Sequence, residues 1–273
     1  MYFPNKCIGC GACLELARRG EVEADGGIVR VHRERIRPSE LQWAEACITG
    51  ALVVVGQKRG ADEVFDEILK DLPFYEQSGG GVTFSGGEPL LQAAFVDAVA
   101  SKCRERGIHT AVETSCAVPQ STLTRAASNV DLFICTLLSS DDGLHRRYTG
   151  GSNVEVLGNI RWLASRDPER LFVRTPLIPG VNMDEQSIRH NLRFLADAGV
   201  RYYDVLPFHR LGAPKYLALL GETYPYASTH APADDAVEVI RDVIREFGML
   251  TEYPSVSRTY IPGAAITEGM RNG

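Results

Sequence analysis

The sequence lacks long apolar runs, blocks of basic residues and an apolar leader. Its longest plain apolar run covers about residues 51–55, far short of the roughly 20 residues that cross a bilayer. The net charge is −6, and the absence of a basic block argues against nucleic-acid binding. Residues 1–7 contain no apolar segment of the kind found in secretory signals. We therefore expect a cytoplasmic protein that binds neither membrane nor nucleic acid.

Cysteines are the first informative residues. The chain has 273 residues and seven cysteines, four of them within the first 47 positions. Disulfide frameworks are typical of small secreted chains, so metal or redox chemistry is the better interpretation here. Cys103, Cys116 and Cys135 are expected to be ordinary buried thiols.

The early cysteines follow a C-x2-C-x2-C spacing at Cys7, Cys10 and Cys13. Bacterial two-cluster ferredoxins use paired C-x2-C-x2-C-x3-C runs, in which the fourth cysteine of each run ligates the cluster of the other run. The fourth position of this run holds Ala17, so its own last cysteine is missing. Cys47 lies farther along and is the candidate last cysteine of a second run.

The other three positions of that second run have lost their cysteines. They hold Arg37, Glu40 and Trp43. Under the cross-over rule, one complete ligand set survives and the other set is wholly absent. The surviving set is Cys7, Cys10, Cys13 and Cys47. It predicts one [4Fe–4S] cluster, with a zinc site or a loop that holds no metal as the alternatives.

Residues from about 58 onward alternate between apolar strand patterns and amphipathic helix patterns. Strands are predicted at residues 81–86, 109–114, 131–138, 171–179 and 202–208. Helices are predicted at residues 62–72, 90–105, 121–127, 153–164, 184–198 and 234–247. This alternation predicts an α/β fold with a parallel sheet. Its functional residues are expected on the loops after the strands.

The stretch FYEQSGGGVTFSGGEPLLQ at residues 74–92 is the most distinctive in the chain. Together with later segments such as YTGGSN and LPFHRLGAPKY, it resembles the glycyl-radical-enzyme activating enzymes. These are radical S-adenosylmethionine (SAM) enzymes similar to pyruvate formate-lyase activating enzyme. The resemblance implies a ferredoxin-like module at residues 1–57. It also implies a partial (β/α)6 barrel at residues 58–273 that lacks its first strand.

The resemblance also implies a SAM site. Its residues would be Gly86, Gly87, Glu88, Thr114, Ser115, Arg174 and His209. Glycines let a ligand approach the backbone closely, and a carboxylate can accept hydrogen bonds from the SAM ammonium. Taken alone, SGGEP could equally be a tight turn.

Three features depart from this family pattern. The C-x3-C-x2-C motif, whose cluster chelates SAM, occurs nowhere in the 273 residues. The usual D-x-K pair is replaced by Thr136 and Leu138, and Cys116 stands where glycine is usual. The simplest hypothesis is that the missing motif and first strand were lost by truncation; a naturally open, catalytically disabled barrel is the alternative. The strands at 81–86 and 202–208 should then have unpaired edges.

Two functional hypotheses follow. In the first, the chain derives from an anaerobic oxidoreductase that uses a reduced cluster and SAM to form a glycyl radical on a partner enzyme. A flavodoxin or ferredoxin would be the reductant, and this chain would be truncated or inactive. In the second, it is a non-catalytic iron–sulfur protein that transfers electrons or binds a partner.

Overall fold

The computed structural model describes residues 1–254 and divides them into two compact units. The first unit contains residues 1–58 and 209–229, and the second contains residues 59–208 and 230–254. The helices are α1 Ala12–Leu16, α2 Gln42–Glu45, α3 Ala61–Leu69, α4 Leu72–Ser78, α5 Ala93–Glu105, α6 Gln120–Ala126, α7 Asp142–Thr149, α8 Val154–Arg166, α9 Glu185–Asp197, α10 Ala213–Leu220 and α11 Asp234–Glu246. Short 3-10 helices cover Pro4–Lys6, Arg33–Arg35, Pro89–Gln92 and Pro168–Arg170. The strands are β1 Val22–Asp25, β2 Ile28–Val31, β3 Gly81–Phe84, β4 His109–Thr114, β5 Leu132–Thr136, β6 Leu171–Leu177 and β7 Tyr202–Pro207.

The first unit is built on an antiparallel hairpin of β1 and β2. Gly26 and Gly27 form its two-residue turn with φ values of 57° and 91°, as such hairpins prefer. Its small apolar core contains Cys13, Val22, Val29, Trp43, Ala44 and Leu52. One of the predicted cluster ligands, Cys13, is thus packed into this core.

The second unit contains a five-stranded sheet in the order β3-β4-β5-β6-β7. All four strand pairings are parallel, and each of the first four strands is followed by at least one helix before the next strand. The predicted α/β fold is therefore confirmed. Alternate strand residues face the helices in the main apolar core, to which Val112, Cys135 and Val173 belong.

The sheet is open, with β3 and β7 at its two ends. The β7 end is not wholly unpaired, contrary to the expectation. The Tyr203 N–H donates to the Leu250 carbonyl at 2.9 Å, and the Leu250 N–H donates to the Arg201 carbonyl at 2.8 Å. The rest of β7 has no further strand beside it among residues 1–254.

Several elements differ from the predicted ones. The helix expected at 62–72 ends at Leu69, and α4 begins with Pro73 in its first turn, because Pro73 has no N–H to donate to the Leu69 carbonyl and its ring crowds that carbonyl. Helices α7 and α10 were missed, although Asp141 caps α7 and Gly221 ends α10. The predicted division into modules at 1–57 and 58–273 stays a prediction; by their contacts, residues 209–229 group with the first unit. No helix within residues 1–254 has the length and apolarity of a membrane span.

Candidate functional site

The four predicted cluster cysteines surround one cavity in the first unit. Cys7 and Cys10 precede α1, Cys13 lies within α1, and Cys47 follows α2; all four line this cavity together with Tyr2. Cys10 is exposed, Cys13 is buried, and the other two thiols are half-buried. The structure therefore brings together residues that are up to 40 positions apart in the sequence.

Glycines give the cysteine loop its shape. Gly9 and Gly11 have φ values of 67° and 78°, a region that favours glycine because a Cβ atom crowds the backbone there. A Cβ atom at Gly9 would lie 2.4 Å from the Gly27 carbonyl oxygen, whereas one at Gly11 would meet nothing within 4 Å. The hairpin turn therefore packs directly against the loop that presents Cys7 and Cys10.

Hydrogen bonds already reach one of the thiols. The Leu52 N–H donates to Cys47 Sγ at 3.4 Å, and Thr49 Oγ1 lies 3.5 Å from the same sulfur. Burial raises the pKa of Cys47, but the hydrogen bonds from Thr49 and Leu52 outweigh it and bring this pKa below its ordinary value. Burial raises the pKa of Cys13, and the neighbouring cysteines raise it further.

The donor chemistry of this cavity suits an iron–sulfur cluster. Four thiolates are the usual ligands of a [4Fe–4S] cluster, and N–H···S hydrogen bonds tune such clusters. Within residues 1–254, no three His, Cys, Asp or Glu side chains are arranged to hold a metal ion in the conformation described. The identity of the ligand set therefore stays a prediction, supported by the shared cavity.

A second polar site lies where β3 and β4 end. The Glu88 carboxylate accepts hydrogen bonds from Thr114 Oγ1 at 2.8 Å, Ser115 N at 2.9 Å and Ser115 Oγ at 2.7 Å. It also accepts from Leu90 N at 3.1 Å, which caps the short helix after the loop. One side chain thus joins the loops after two neighbouring strands.

These contacts bear on the role expected for Glu88. A carboxylate has about four lone-pair positions, and Glu88 accepts four hydrogen bonds from the protein itself. In this structure it organises the two loops. That the Glu88 side chain accepts a hydrogen bond from a ligand ammonium stays a prediction. The backbone of the same loop is the alternative acceptor.

The glycines before Glu88 leave room for a ligand. Gly86 has a φ of 132°, and a Cβ atom at Gly86 or Gly87 would meet no atom within 4 Å. The backbone is therefore accessible at the end of β3, as a binding loop requires.

Arg174 lies on the opposite half of the same sheet. It is paired with Thr136 of β5 and Asp204 of β7, and its guanidinium lies 4.6 Å from the centre of the Phe172 ring. Its Nε atom is buried without a hydrogen-bond partner in the described part of the chain. Such an unpaired buried donor is costly, so this side chain is suited to an anionic group.

The predicted SAM-site residues do not all belong to one unit. Gly86, Gly87, Glu88, Thr114 and Ser115 are brought together by the Glu88 hydrogen bonds. His209 belongs to the other unit, where its Nδ1 accepts a hydrogen bond from Leu211 N at 3.4 Å. Its assignment to a SAM site remains a prediction.

Sequence reasoning missed a polar pair beside this site. Ser85 Oγ donates to Glu113 Oε2 at 2.9 Å, linking β4 to the loop that follows β3. The signal was present, because Glu113 alternates with the buried Val112 and Thr114 and so belongs to the other face of β4. Asp204 was missed as well; Arg241 Nε donates to its Oδ1 at 3.0 Å and Asp204 in turn raises the pKa of Arg241.

Sequence comparison places this architecture among known proteins. A profile of the Radical SAM superfamily matches residues 47–203. The chain is 40% identical over 223 residues to the isethionate sulfite-lyase activating enzyme of Oleidesulfovibrio alaskensis, covering 80% of this chain and 72% of the relative. It is 32% identical over 258 residues to the indoleacetate decarboxylase activating enzyme of Tractidigestivibacter scatoligenes, covering 91% and 81%.

Structural comparison agrees with the sequence comparison. A crystal structure of a domain of pyruvate-formate lyase-activating enzyme from Bacteroides vulgatus aligns with a TM-score of 0.53 and 29% identity. The alignment covers 63% of this chain and 98% of that domain.

Proposed function

The chain belongs to the radical SAM superfamily, among the glycyl-radical-enzyme activating enzymes, and we propose that it contributes an electron-transfer cluster and a SAM-binding surface to this activity. Members of the superfamily generally use a [4Fe–4S] cluster and SAM. The observation that carries the proposal is the joining of the loops after β3 and β4 by Glu88, next to open glycine backbone.

We assign one [4Fe–4S] cluster to the cysteine cavity. Cys7, Cys10, Cys13 and Cys47 would hold it, and when bound it would supply one-electron transfer. The Leu52 N–H, which points at Cys47 Sγ, would stabilise the thiolate form of this ligand.

We assign the SAM site to the carboxyl ends of the strands. The backbone at Gly86 and Gly87 would bind the amino-acid part of SAM, because no side chain blocks it there. Arg174 would pair with the SAM carboxylate through its unpartnered guanidinium Nε. Glu88, Thr114 and Ser115 would hold the loops in the binding geometry. The protein substrate would be a glycyl radical enzyme; the two named relatives are activating enzymes of an isethionate sulfite-lyase and of an indoleacetate decarboxylase.

Equilibrium dialysis with labelled SAM tests this assignment. Arg174→Gln should weaken SAM binding at least about tenfold, because a hydrogen bond to a charged group contributes roughly 1.5–3 kcal/mol. Arg161→Gln is a matched control, since Arg161 also lies over a phenylalanine ring, Phe194 at 4.7 Å, but is on helix α8. Equal affinities for the two variants, or no binding by the unaltered chain, would contradict the assignment.

A second candidate is an iron–sulfur protein that does not cleave SAM. It is favoured by Thr136 and Leu138, which stand where the family pattern has D-x-K. Under dithionite, this candidate predicts no 5′-deoxyadenosine above that of a Cys7→Ala control. Turnover that depends on Cys7 would instead mean that the cysteine cavity supports the reaction.

A further inference from the structure

Two buried cysteines of the second unit lie side by side. Cys116 follows β4 and Cys135 lies on β5, and their Sγ atoms are 2.7 Å apart. Both side chains are fully buried in the core between the sheet and its helices. The sequence predicted two unrelated buried thiols, and nothing in their spacing of 19 residues indicates a pair.

The backbone explains how they meet. Thr114, the last residue of β4, is paired with Cys135 across the sheet. Cys116 then adopts a φ of 58°, which is uncommon for a residue other than glycine. The Cys116 N–H donates to Thr114 Oγ1 at 3.0 Å, so the chain turns back and directs the Cys116 side chain toward Cys135.

We propose that Cys116 and Cys135 form a reversible disulfide, which makes this pair an oxidation site with a peroxide as the oxidant. The two sulfur atoms need to move by less than 1 Å to reach the bonded distance of about 2.0 Å. Cys103 has no such neighbour and lies in a separate apolar cluster with Ile68, Val99 and Ile108.

Access to the pair is through Cys116. Its neighbours Ser115 and Ala117 are exposed while its own side chain is buried, so a local opening of this loop uncovers its sulfur. Burial raises the pKa of Cys135 well above its ordinary value. Because the thiolate is the nucleophile, this shift makes Cys135 slow to react with an oxidant in solution.

Hydrogen peroxide takes two electrons from the pair in two steps. The Cys116 thiolate attacks one oxygen of hydrogen peroxide, the O–O bond breaks, and a sulfenic acid and hydroxide form. The Cys135 sulfur attacks the sulfenic sulfur, forming the S–S bond as the S–O bond breaks. The two thiol protons leave within two water molecules, the sulfurs lose two electrons, and the peroxide gains them. Thiol reductants reverse the reaction by exchange.

The disulfide would fix the loop after β4 to β5. Ser115, adjacent to Cys116, donates twice to Glu88, so the bond would also restrain the loop after β3. This inference stands on the sulfur geometry and holds whether or not the chain binds SAM.

Peptide mapping tests the proposal on the full chain. The protein is treated with hydrogen peroxide, unfolded in the presence of iodoacetamide, and digested with trypsin. Cleavage after Arg106, Arg125 and Arg146 places Cys116 in residues 107–125 and Cys135 in residues 126–146. We expect these two peptides to appear as one linked pair that is lost on treatment with dithiothreitol.

Cysteine variants distinguish specific oxidation of the Cys116–Cys135 pair from general oxidation of the cysteines. Cys103→Ser should leave the linked pair unchanged, and Cys135→Ser should abolish it. The unaltered chain and Cys103→Ser suffice if Cys135→Ser does not fold. Alkylation of both cysteines as in the untreated protein, or links mainly to other cysteines, would overturn the proposal.

Discussion

Gly9 and Gly11 provide a matched pair of substitutions in the cysteine loop. Both have φ values in the left-handed region, 67° and 78°, but only Gly9 touches another backbone segment. Gly9→Ala places a Cβ atom 2.4 Å from the Gly27 carbonyl oxygen, while Gly11→Ala places one in open space. The comparison isolates the contact between the loop and the β1–β2 turn from the cost of the backbone conformation.

The expected loss of stability has two contributions, the left-handed backbone and the clash with the Gly27 carbonyl. An alanine in left-handed backbone costs about 1–2 kcal/mol, which is the whole effect expected for Gly11→Ala. Gly9→Ala adds a clash that moves backbone, and overpacking of this kind costs about 1–3 kcal/mol. The first unit should therefore lose about 2–5 kcal/mol with Gly9→Ala, taking the two ranges together.

Tryptophan fluorescence can report on the first unit alone. The chain has two tryptophans; Trp43 is buried in the first unit and Trp162 lies on α8 of the second. In a Trp162→Phe background, urea unfolding followed by fluorescence measures the environment of Trp43. With a slope of about 1 kcal/mol per molar urea for a small unit, the midpoint of Gly9→Ala should lie about 1–3 M below that of Gly11→Ala. Equal midpoints would refute the packing argument.

Three side chains of the second unit can be tested by substitution. Glu88→Ala should destabilise it by about 1–3 kcal/mol, because the buried Thr114 hydroxyl loses its acceptor; thermal unfolding against an exposed control, Glu105→Ala, measures this. Hydrogen bonds from Arg146 and Ser152 lower the pKa of Asp142 to about 2 from its ordinary 3.8. This contribution to stability is present above the ordinary pKa and is lost as pH falls from about 4 toward 2, so Asp142→Asn should flatten the acid unfolding profile in that range. Arg241→Leu should destabilise the unit more than Arg189→Leu in urea unfolding, because only Arg241 pairs with a partly buried carboxylate, Asp204.

Apolar periodicity was enough to predict the sheet. Strand β4 was predicted at residues 109–114, as observed, because the β-branched residues Thr110, Val112 and Thr114 alternate there after Gly107. The helix α10 was missed because its sequence APKYLALL has no polar face, and its assignment to the first unit depends on contacts distant in sequence. For example, Tyr2 N–H donates to the Ala218 carbonyl at 2.9 Å.

The candidate sites, like the fold, could be predicted from the sequence only in part. Spacing alone selected Cys7, Cys10, Cys13 and Cys47, and the structure places all four around one cavity. The four hydrogen bonds of Glu88 could not be predicted, because they depend on which loop lies beside it. The contact between Cys116 and Cys135 depends in addition on strand register and on the unusual φ of Cys116, which no sequence pattern encodes.

Iron content is the most direct test of the central claim that this chain carries one cluster on four specific cysteines. After anaerobic reconstitution, the unaltered chain should contain about four irons and four sulfides, the content of one [4Fe–4S] cluster. Cys47→Ser should lose most of this iron, whereas Cys103→Ser, which changes a buried thiol outside the cavity, should retain it. Equal loss in both variants, or about eight irons per chain as in a two-cluster ferredoxin, would contradict the account.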